Sequence, residues 1–250
     1  MSRDLSGEFR AWAGVARSLR IYRLDRAHAA SLRRFLSPMV RPGDLAFDVG
    51  AHVGDRVAAL RALGARVVAV EPQARLARVL RLLHGRDAGV EIVRAALGAA
   101  EGAAVLRVNR ANPTVSTLSE GFVAGAAGAP GWEGQSWDAE ETAPMTTLDA
   151  LAARFGPPAF VKIDVEGHEA EVLAGLSAPP PLLSFEVVAA ARAAGVAALE
   201  RAQALGYGGF RLSLGESHAW ETDWLDAAAM RDLVAGLPDA ANSGDVYCRP

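Results

Sequence analysis

Four side chains that can carry a proton or hold a cation occur where two apolar stretches of the sequence end. They are Asp164, Glu166, His168 and Glu186. Residues 160–165 and 182–187 have the pattern of buried strands, and in an open α/β sheet ligands bind at the carboxyl ends of the strands. Because side chains alternate along a strand, Lys162, Asp164 and Glu166 should share one side of it, unless Glu166 already lies in the turn that follows. The spacing therefore predicts a site rich in carboxylates at this edge.

These acids fit two kinds of chemistry. A carboxylate within hydrogen-bond reach of a hydroxyl can act as a general base, and we expect Glu166 or Glu186 in that role before His168. Alternatively, Asp164 and Glu186 could hold Mg²⁺, which would lower the pKa of a hydroxyl bound to it. The sequence has no cluster of His and Cys that would indicate zinc.

Lys162 is the one lysine among 26 basic residues. Two interpretations fit it equally well. It pairs with Asp48, Asp164 or Glu186 inside the sheet, because several buried acids need a counter-charge. Alternatively, its compact ammonium contacts substrate or orients the base, where the planar arginine fork would not fit.

A glycine turn follows the first predicted strand, in the stretch DVGAHVGD at residues 48–55. Glycine at position 50 lets the backbone turn tightly and approach a ligand, since a Cβ there would occupy the ligand's space. We expect Asp48, Gly50, His52 and Gly54 to contribute to a cofactor site. The turn lacks the three-glycine spacing of the dinucleotide fingerprint, which disfavours a pyrophosphate ligand.

Glu71 ends the second predicted strand, 21 residues after Gly50. A carboxylate at that place in a doubly wound sheet commonly accepts hydrogen bonds from ribose hydroxyls. The glycine turn and this acid together predict an adenosine-type ligand, and S-adenosylmethionine is a better candidate than NAD(P). Asp164 would then lie at the edge where the sulfonium cation sits.

Apolar runs alternate with helical patterns from residue 42 onward, which is typical of a parallel sheet covered by helices. The predicted strands are residues 45–49, 66–70, 90–93, 160–165 and 182–187, with later ones at 210–214 and 245–248 and a short extra one at 103–108. The predicted helices are residues 56–63, 74–83, 169–176 and 189–205. This order predicts a doubly wound α/β domain over residues 42–250.

Residues 112–144 interrupt the alternation. They are rich in Gly, Ala and Ser and contain Trp132 and Trp137. Long loops inside a compact domain are usually functional lids or mobile segments. We predict a substrate lid, with a passive insertion as the alternative.

Residues 1–41 are predicted to form a basic N-terminal helical extension. The first 36 residues hold eight arginines and three acids, a local charge of +5 in a chain whose net charge is -3. Phe9, Trp12, Ala16 and Leu19 recur every three or four residues, which predicts an amphipathic helix whose apolar stripe packs on its own domain. A helix for a membrane surface or a partner, and a removed targeting peptide, are the alternatives.

The composition of the 250 residues excludes several classes of protein. With 51% hydrophobic and 22% charged residues, the chain is globular and not disordered. The small negative net charge argues against a nucleic-acid partner, and no apolar stretch is long enough for an integral membrane segment. The single cysteine, Cys248, allows no intrachain disulfide and fits a reducing cytoplasm. The sequence leaves open whether the chain forms a homo-oligomer.

Taken in order, the motifs resemble the FkbM-like S-adenosylmethionine-dependent methyltransferases. The resemblance covers residues 44–250 and rests on DVGAHVGD, VEP at 70–72, ALG at 96–98, TTLD at 146–149, and KIDVEGHE followed by EVLAGL. It implies a class I methyltransferase fold, which is Rossmann-like and doubly wound, with a mostly parallel seven-stranded sheet and an antiparallel last strand. It also implies O-methylation of hydroxyls on sugars, glycolipids or secondary metabolites. His52 stands where the family more often has Asn.

We therefore predict a cytoplasmic S-adenosylmethionine-dependent O-methyltransferase that acts on a hydroxyl of a sugar, glycoconjugate or secondary metabolite, with Mg²⁺ as an optional second cofactor. An NAD(P)-dependent oxidoreductase and a non-catalytic S-adenosylmethionine-binding module are the alternatives.

Overall fold

Residues 5–250 are described by the computed structural model, and they form ten strands. The strands are β1 (Leu45–Val49), β2 (Arg66–Val70), β3 (Val90–Val93), β4 (Ala96–Leu97), β5 (Gly102–Val108), β6 (Ala139–Thr146), β7 (Phe160–Ile163), β8 (Leu182–Val188), β9 (Gly209–Leu214) and β10 (Ser243–Arg249).

Nine α-helices lie between and before these strands in the described range. They are α1 (Leu5–Ser18), α2 (Arg26–Leu36), α3 (Asp55–Ala62), α4 (Ala74–His84), α5 (Glu120–Ala126), α6 (Leu148–Phe155), α7 (Glu169–Ala174), α8 (Arg192–Ala204) and α9 (Ala227–Ala235). A π-helical segment, Leu19–Arg23, continues α1. None of the helices within residues 5–250 is long and apolar enough to cross a membrane.

The central sheet has seven strands in the spatial order β3-β2-β1-β7-β8-β10-β9. Strand β10 is antiparallel to both of its neighbours, β8 and β9, and the other pairings are parallel. This arrangement confirms the predicted class I methyltransferase fold. The strand order reverses between β1 and β7, and such a switch point opens a crevice at the carboxyl ends of the strands, where ligands bind.

Helices cover both faces of the sheet because successive strand residues point to opposite sides. On β1, Phe47 and Val49 pack into a core with residues of α6 to α9. The intervening Ala46 packs on the other face, with residues of α2, α3 and α4. Both faces are apolar, as expected for a parallel sheet that is covered on two sides.

Strand β7 ends at Ile163, two residues before the predicted end of this strand. Glu166 and Gly167 follow with positive φ angles of 58° and 89°, which turn the chain toward α7. Glu166 therefore lies in the turn and not on the strand.

A second sheet of three strands, in the order β4-β6-β5, lies apart from the central one. Strand β5 was predicted as the short extra strand, and it pairs antiparallel with β6, which was not predicted. Residues 112–144 contain the start of β6 and also the helix α5.

The predicted apolar stripe of the N-terminal helix is wrong. Phe9 and Trp12 are 77% and 42% exposed, whereas Ala11 and Val15 are buried. The helix lies on its own domain, as expected, but it does so through its small residues. At Gly14 an added Cβ would lie 2.8 Å from the carbonyl oxygen of Arg110, so only glycine permits this close approach. Residues 1–4 of the extension lie outside the described range.

Candidate active site

One cavity of about 410 Å³ opens at the carboxyl ends of β1, β2, β7 and β8. Eight of the ten predicted site residues line it: Asp48, Gly50, His52, Glu71, Asp164, Glu166, His168 and Glu186. Gly54 and Lys162 do not line it. The fold thus places most of the residues that the sequence motifs singled out around one cavity.

Gly50 shapes the turn between β1 and α3. Its φ is +83°, and an added Cβ would lie 1.8 Å from the carbonyl oxygen of Asp164. The N–H groups of Gly50 and Ala51 both donate to the carbonyl of Val70, at 2.9 and 3.0 Å. Gly54 has a different surrounding, since a Cβ there would meet Leu80 of α4 at 2.8 Å. The first glycine lets two loops meet at the cavity, and the second lets two helices pack.

Glu71 is buried at the cavity wall and is held by two backbone donors. The N–H of His52 donates to Oε2 at 3.0 Å, and the N–H of Gln73 donates to Oε1 at 2.8 Å. Burial raises the pKa of Glu71 to about 8, although these two hydrogen bonds lower it. Each carboxylate oxygen keeps a lone pair for a further donor.

His52 connects the glycine turn to two other segments. Its φ is +48°, its ring meets Tyr22 edge to face with centroids 5.6 Å apart, and its Nε2 lies 3.4 Å from Thr114 Oγ1. Burial lowers the pKa of His52, so the neutral ring is favoured. Tyr22 and Thr114 also line the cavity. The N-terminal extension and residues 112–144 therefore complete its wall.

Lys162 is 1% exposed and lies in a network of charges behind the cavity. Its Nζ donates to Asp245 Oδ1 at 2.7 Å, to Asp164 Oδ2 at 3.3 Å and to the carbonyl of Ile163 at 3.2 Å. Arg56 Nη2 donates to the other oxygen of Asp245 at 2.9 Å. Burial alone would lower the pKa of Lys162, but the charges of Asp164 and Asp245 raise it above its usual value. The contact with Asp164 agrees with the ion-pair interpretation of Lys162, whereas the shorter one, with Asp245, was not predicted.

Asp48 is a buried acid without a full set of partners. Its Oδ2 has no hydrogen-bond partner within the described part of the chain. Burial raises the pKa of Asp48 to about 7, which the charges of Arg56 and Lys162 partly oppose. An oxygen of this kind at a cavity wall is suited to a cationic or hydrogen-bond-donating group of a ligand.

Asp164, Glu166 and Glu186 meet at the other end of the cavity, where each offers a carboxylate oxygen within 4.8 Å of the others. Glu166 is 5% exposed, and neither its Oε2 nor that of Glu186 has a hydrogen-bond partner among residues 5–250. Burial, and after it the charge of Asp164, raises the pKa of Glu166 and of Glu186 well above the usual value.

The turn that carries Glu166 is fixed by its neighbours. Thr117 Oγ1 donates to the carbonyl of Glu166 at 2.7 Å. Glu169 Oε1 accepts from the N–H groups of Val165 and Gly167, at 3.0 and 3.2 Å. A left-handed glutamate is strained, and such strain persists only where the surroundings enforce it. The side chain is therefore held at the cavity.

His168 lies beside this turn, just before α7. Its Nδ1 is 3.8 Å from Glu171 Oε2, and its Nε2 is buried without a hydrogen-bond partner in the described range. The side chain does not cap the helix. Burial lowers the pKa of His168, so the neutral ring, which can accept a proton, is favoured.

In a comparison with known protein families, the central part of the chain matches one family model. The model of the methyltransferase FkbM domain matches residues 48–187. The chain belongs to the FkbM methyltransferase family. It is therefore an S-adenosylmethionine-dependent methyltransferase, and the matched segment contains all ten predicted site residues.

Among solved structures, this FkbM methyltransferase resembles several methyltransferases at low sequence identity. The TehB-like SAM-dependent methyltransferase from Corynebacterium glutamicum is 12% identical, with a TM-score of 0.48 over 98% of this chain and 97% of that one. The precorrin-6y C5,15-methyltransferase from Geobacter metallireducens is 13% identical, with a TM-score of 0.45 over 88% and 86%. The O-methyltransferase from Bacillus cereus, in complex with SAH, is 11% identical, with a TM-score of 0.44 over 100% and 93%. No curated protein matches the sequence significantly.

Asp245 is the main residue of this FkbM methyltransferase site that the sequence prediction missed. It lines the cavity and pairs with both Lys162 and Arg56. A signal was present, because an aspartate is unfavourable inside a buried strand such as β10 and must have a charged partner there. The partners come from distant segments, and the sequence does not reveal which they are.

Proposed function

We propose that this enzyme transfers the methyl group of S-adenosylmethionine to a hydroxyl of a sugar, glycoconjugate or secondary metabolite. One observation carries the proposal. A single cavity has acceptors suited to an adenosine at one end and two carboxyl groups with unpartnered oxygens at the other. The cytoplasmic location remains a prediction from the sequence.

The cofactor end of the cavity fits S-adenosylmethionine. Glu71, oriented by two backbone N–H groups, is suited to accept hydrogen bonds from the ribose hydroxyls. Gly50 lets the glycine turn pass close to the loop after β7, because a Cβ there would lie 1.8 Å from the carbonyl oxygen of Asp164. The unpartnered oxygen of Asp48 would accept from the cofactor's ammonium group, and Asp164 would lie near its positive sulfur. Gly54 would act indirectly, by shaping the same turn.

At the acceptor end, we assign Glu166 or Glu186 as the general base. When bound, the cofactor supplies a methyl group that the positive sulfur has already activated, so the protein mainly orients the acceptor and excludes water. The base takes the proton that the hydroxyl loses as its oxygen bonds to the methyl carbon. Such a base contributes about 10² to 10⁴-fold in rate. His168 is the second candidate, and Lys162 is a positioning residue because it holds Asp164 from behind.

Mg²⁺ is a second candidate for the same edge. Asp164, Glu166 and Glu186 provide oxygen ligands only, the type that Mg²⁺ prefers. A cation there would satisfy the unpartnered oxygens of Glu166 and Glu186, and its Lewis acidity would lower the pKa of an acceptor hydroxyl.

We also propose that residues 112–144 are the substrate lid of the methyltransferase domain, residues 42–250. Pro113, Thr114 and Trp132 line the cavity. Two side-chain donors hold the segment in place: Gln73 Nε2 donates to the carbonyl of Pro113 at 3.0 Å, and Trp137 Nε1 donates to that of Val115 at 2.8 Å. From the extension, residues 1–41, Arg17 reaches the same cavity.

Calorimetric titration tests the cofactor assignment. We expect the wild-type protein to bind S-adenosylmethionine and S-adenosylhomocysteine but neither NAD⁺ nor NADP⁺. Glu71→Ala should weaken binding of S-adenosylhomocysteine about tenfold or more, because the buried acceptor for the ribose hydroxyls is lost. Glu166→Ala is the matched control and should change it by less than about threefold. Tight NAD(P) binding without S-adenosylmethionine binding would overturn the proposal, and equal losses in the two variants would contradict the assigned roles.

Turnover tests the chemistry. A panel of sugars, glycoconjugates and hydroxylated secondary metabolites is incubated with S-adenosylmethionine, and S-adenosylhomocysteine is measured with and without EDTA. Turnover that survives EDTA would favour a carboxylate base, and turnover restored by Mg²⁺ would favour the metal. Cofactor binding without turnover on any acceptor would favour the non-catalytic binding module.

A further inference from the structure

A second cluster of metal-ligating side chains lies beside the cavity, where the N-terminal extension meets the loop after β9. It consists of His28 at the start of α2 and of Glu216 and His218 in the loop. Each offers one ligand atom, and the three atoms lie within 4.8 Å of one another. We propose that this cluster binds a transition-metal ion of the Zn²⁺ class, at a site distinct from the one formed by Asp164, Glu166 and Glu186.

The state of His218 is the observation that points to a ligand. Its side chain is 5% exposed, and its Nε2 has no hydrogen-bond partner in the part of the chain that the structure describes. Glu216 Oε2 lies 3.2 Å from that nitrogen, close enough for an ion pair, but the geometry does not make a hydrogen bond. Buried polar groups in native proteins are normally satisfied. A metal ion between the two side chains would give the His218 nitrogen a partner.

The backbone of the loop is consistent with a functional constraint. His218 has a φ of +49°, a left-handed conformation that is uncommon for residues other than glycine. Strained residues of this kind cluster at ligand sites, where the strain fixes a side chain in place. Here it directs an imidazole toward His28, and the two ring centroids are 5.0 Å apart.

The donor set selects the kind of metal. Two imidazoles and a carboxylate are ligands that Zn²⁺ and its neighbours in the first transition series prefer. Asp55 is placed to complete the set, because its Oδ2 lies 3.3 Å from His28 Nε2. Mg²⁺ prefers oxygen ligands only. The nitrogen donors therefore separate this site from the one formed by Asp164, Glu166 and Glu186.

The geometry requires a small contraction. Ligand atoms of a tetrahedral zinc site lie about 3.4 Å apart, as follows from Zn–N distances near 2.1 Å. The Glu216 side chain is 45% exposed on its loop and is free to close this gap. Arg56 is an opposing charge at this site, and its Nη1 lies 3.9 Å from Asp55 Oδ2. Its guanidinium is already paired with Asp245 through Nη2.

A metal here would join distant parts of the chain at the wall of the cavity. His28 belongs to the N-terminal extension, whereas Glu216 and Asp55 belong to the methyltransferase domain and line the cavity. The ion would fix the extension over the cavity. The sequence did not predict the site because the two histidines are 190 positions apart.

The test is metal binding by the full-length protein. EDTA-treated protein is placed in millimolar Mg²⁺ to occupy oxygen-only sites, and Zn²⁺ is then titrated in competition with a chromophoric chelator. We expect one equivalent to bind, with an affinity at least about tenfold weaker in His28→Ala and in His218→Ala. His84→Ala is the matched control, because His84 is also buried and its Nε2 also lacks a partner among residues 5–250. It should bind like the wild type.

Co²⁺ provides a readout that needs no variant to fold. Bound in the cluster, it should give the intense visible absorption of a four- or five-coordinate site with nitrogen ligands, and Zn²⁺ should displace it. Absence of stoichiometric Zn²⁺ binding, or equal binding by His218→Ala and wild type, would overturn the proposal. No activity measurement enters, so the outcome is independent of the proposed methyl transfer.

Discussion

Lys162 on β7 and Asp245 on β10 form an ion pair that crosses the strand between them. The distance from Nζ to Oδ1 is 2.7 Å. On the intervening β8, Lys162 lies opposite Ser184, and Asp245 lies opposite Glu186. The small serine leaves a path for the lysine side chain across β8. The pair therefore links the parallel part of the sheet to its antiparallel strand, directly behind Asp164.

Removing Asp245 should destabilise the protein strongly. In Asp245→Ala, Lys162 and Arg56 both lose their shortest ionic contact while they remain buried. Breaking a buried pair by removing one partner costs about 3 to 5 kcal/mol. Urea unfolding measures this cost, with Asp223→Ala as a control because the Asp223 side chain is fully exposed. A loss below about 1 kcal/mol would show that the network is not a structural element.

Lys162→Arg tests whether the single lysine is a requirement. The position is enclosed and satisfied by three acceptors around one nitrogen, so the larger, planar guanidinium has to displace its neighbours. Overpacking of this kind costs about 1 to 3 kcal/mol. We expect lower stability in urea and slower methyl transfer, since Asp164 would move. Unchanged stability and full activity would make the lysine an accident of an arginine-rich composition.

Gly50→Ala should abolish cofactor binding, because the new Cβ would collide with the carbonyl oxygen of Asp164 and displace the glycine turn. Gly50 and Gly43 both have positive φ angles, of 83° and 92°, but a Cβ on Gly43 meets nothing within 4 Å. The two variants therefore share the cost of a left-handed alanine, about 1 to 2 kcal/mol, and only Gly50→Ala forces the loop away from Asp164. Titration with S-adenosylhomocysteine should show binding lost in Gly50→Ala and kept in Gly43→Ala. Similar affinities would refute the role of this close contact.

Strands β1 and β2, which are nearly continuous apolar runs, were predicted to the residue, and so was the partly buried edge strand β3. Such runs are bounded by turn residues and are buried on both faces, so local composition suffices. Strand β6, with the sequence AEETAPMT, is largely polar and exposed on alternate residues. Only its pairing with β5 makes it a strand, and that pairing is a long-range contact.

The same distinction applies to the site. Residues at the ends of predicted parallel strands, such as Asp164 and Glu186, could be brought to one edge by topology alone. Asp245 and the pair of His28 and His218 depend on contacts between segments far apart in sequence, and periodicity carries no information about these. The predicted apolar stripe of the N-terminal helix was wrong for a related reason. The helix packs through small residues, and these produce no periodic pattern of large apolar residues in the sequence.

Glu71→Gln should change the pH dependence of stability. Burial raises the pKa of Glu71 from its usual 4.5 to about 8. Between these values the folded protein keeps a proton that the unfolded chain releases, so this group's contribution to stability is full below pH 4.5 and is lost as pH rises toward 8. Glutamine does not titrate. The Tm of the variant relative to wild type, measured without cofactor, should therefore increase from pH 5 to pH 8. A difference that is constant over this range would contradict the raised pKa.

Gly14→Ala should destabilise the protein more than Phe9→Ala, although the second change removes far more apolar surface. Alanine in place of glycine inside a helix normally stabilises by about 1 kcal/mol. Here the new Cβ would lie 2.8 and 2.9 Å from the carbonyl oxygens of Arg110 and Ala111, and backbone atoms cannot move aside cheaply. The helix would have to lift from the segment before residues 112–144, whereas Phe9 is 77% exposed and buries little surface. Urea unfolding of both variants measures the order, and stabilisation by Gly14→Ala would show that α1 does not pack in this way.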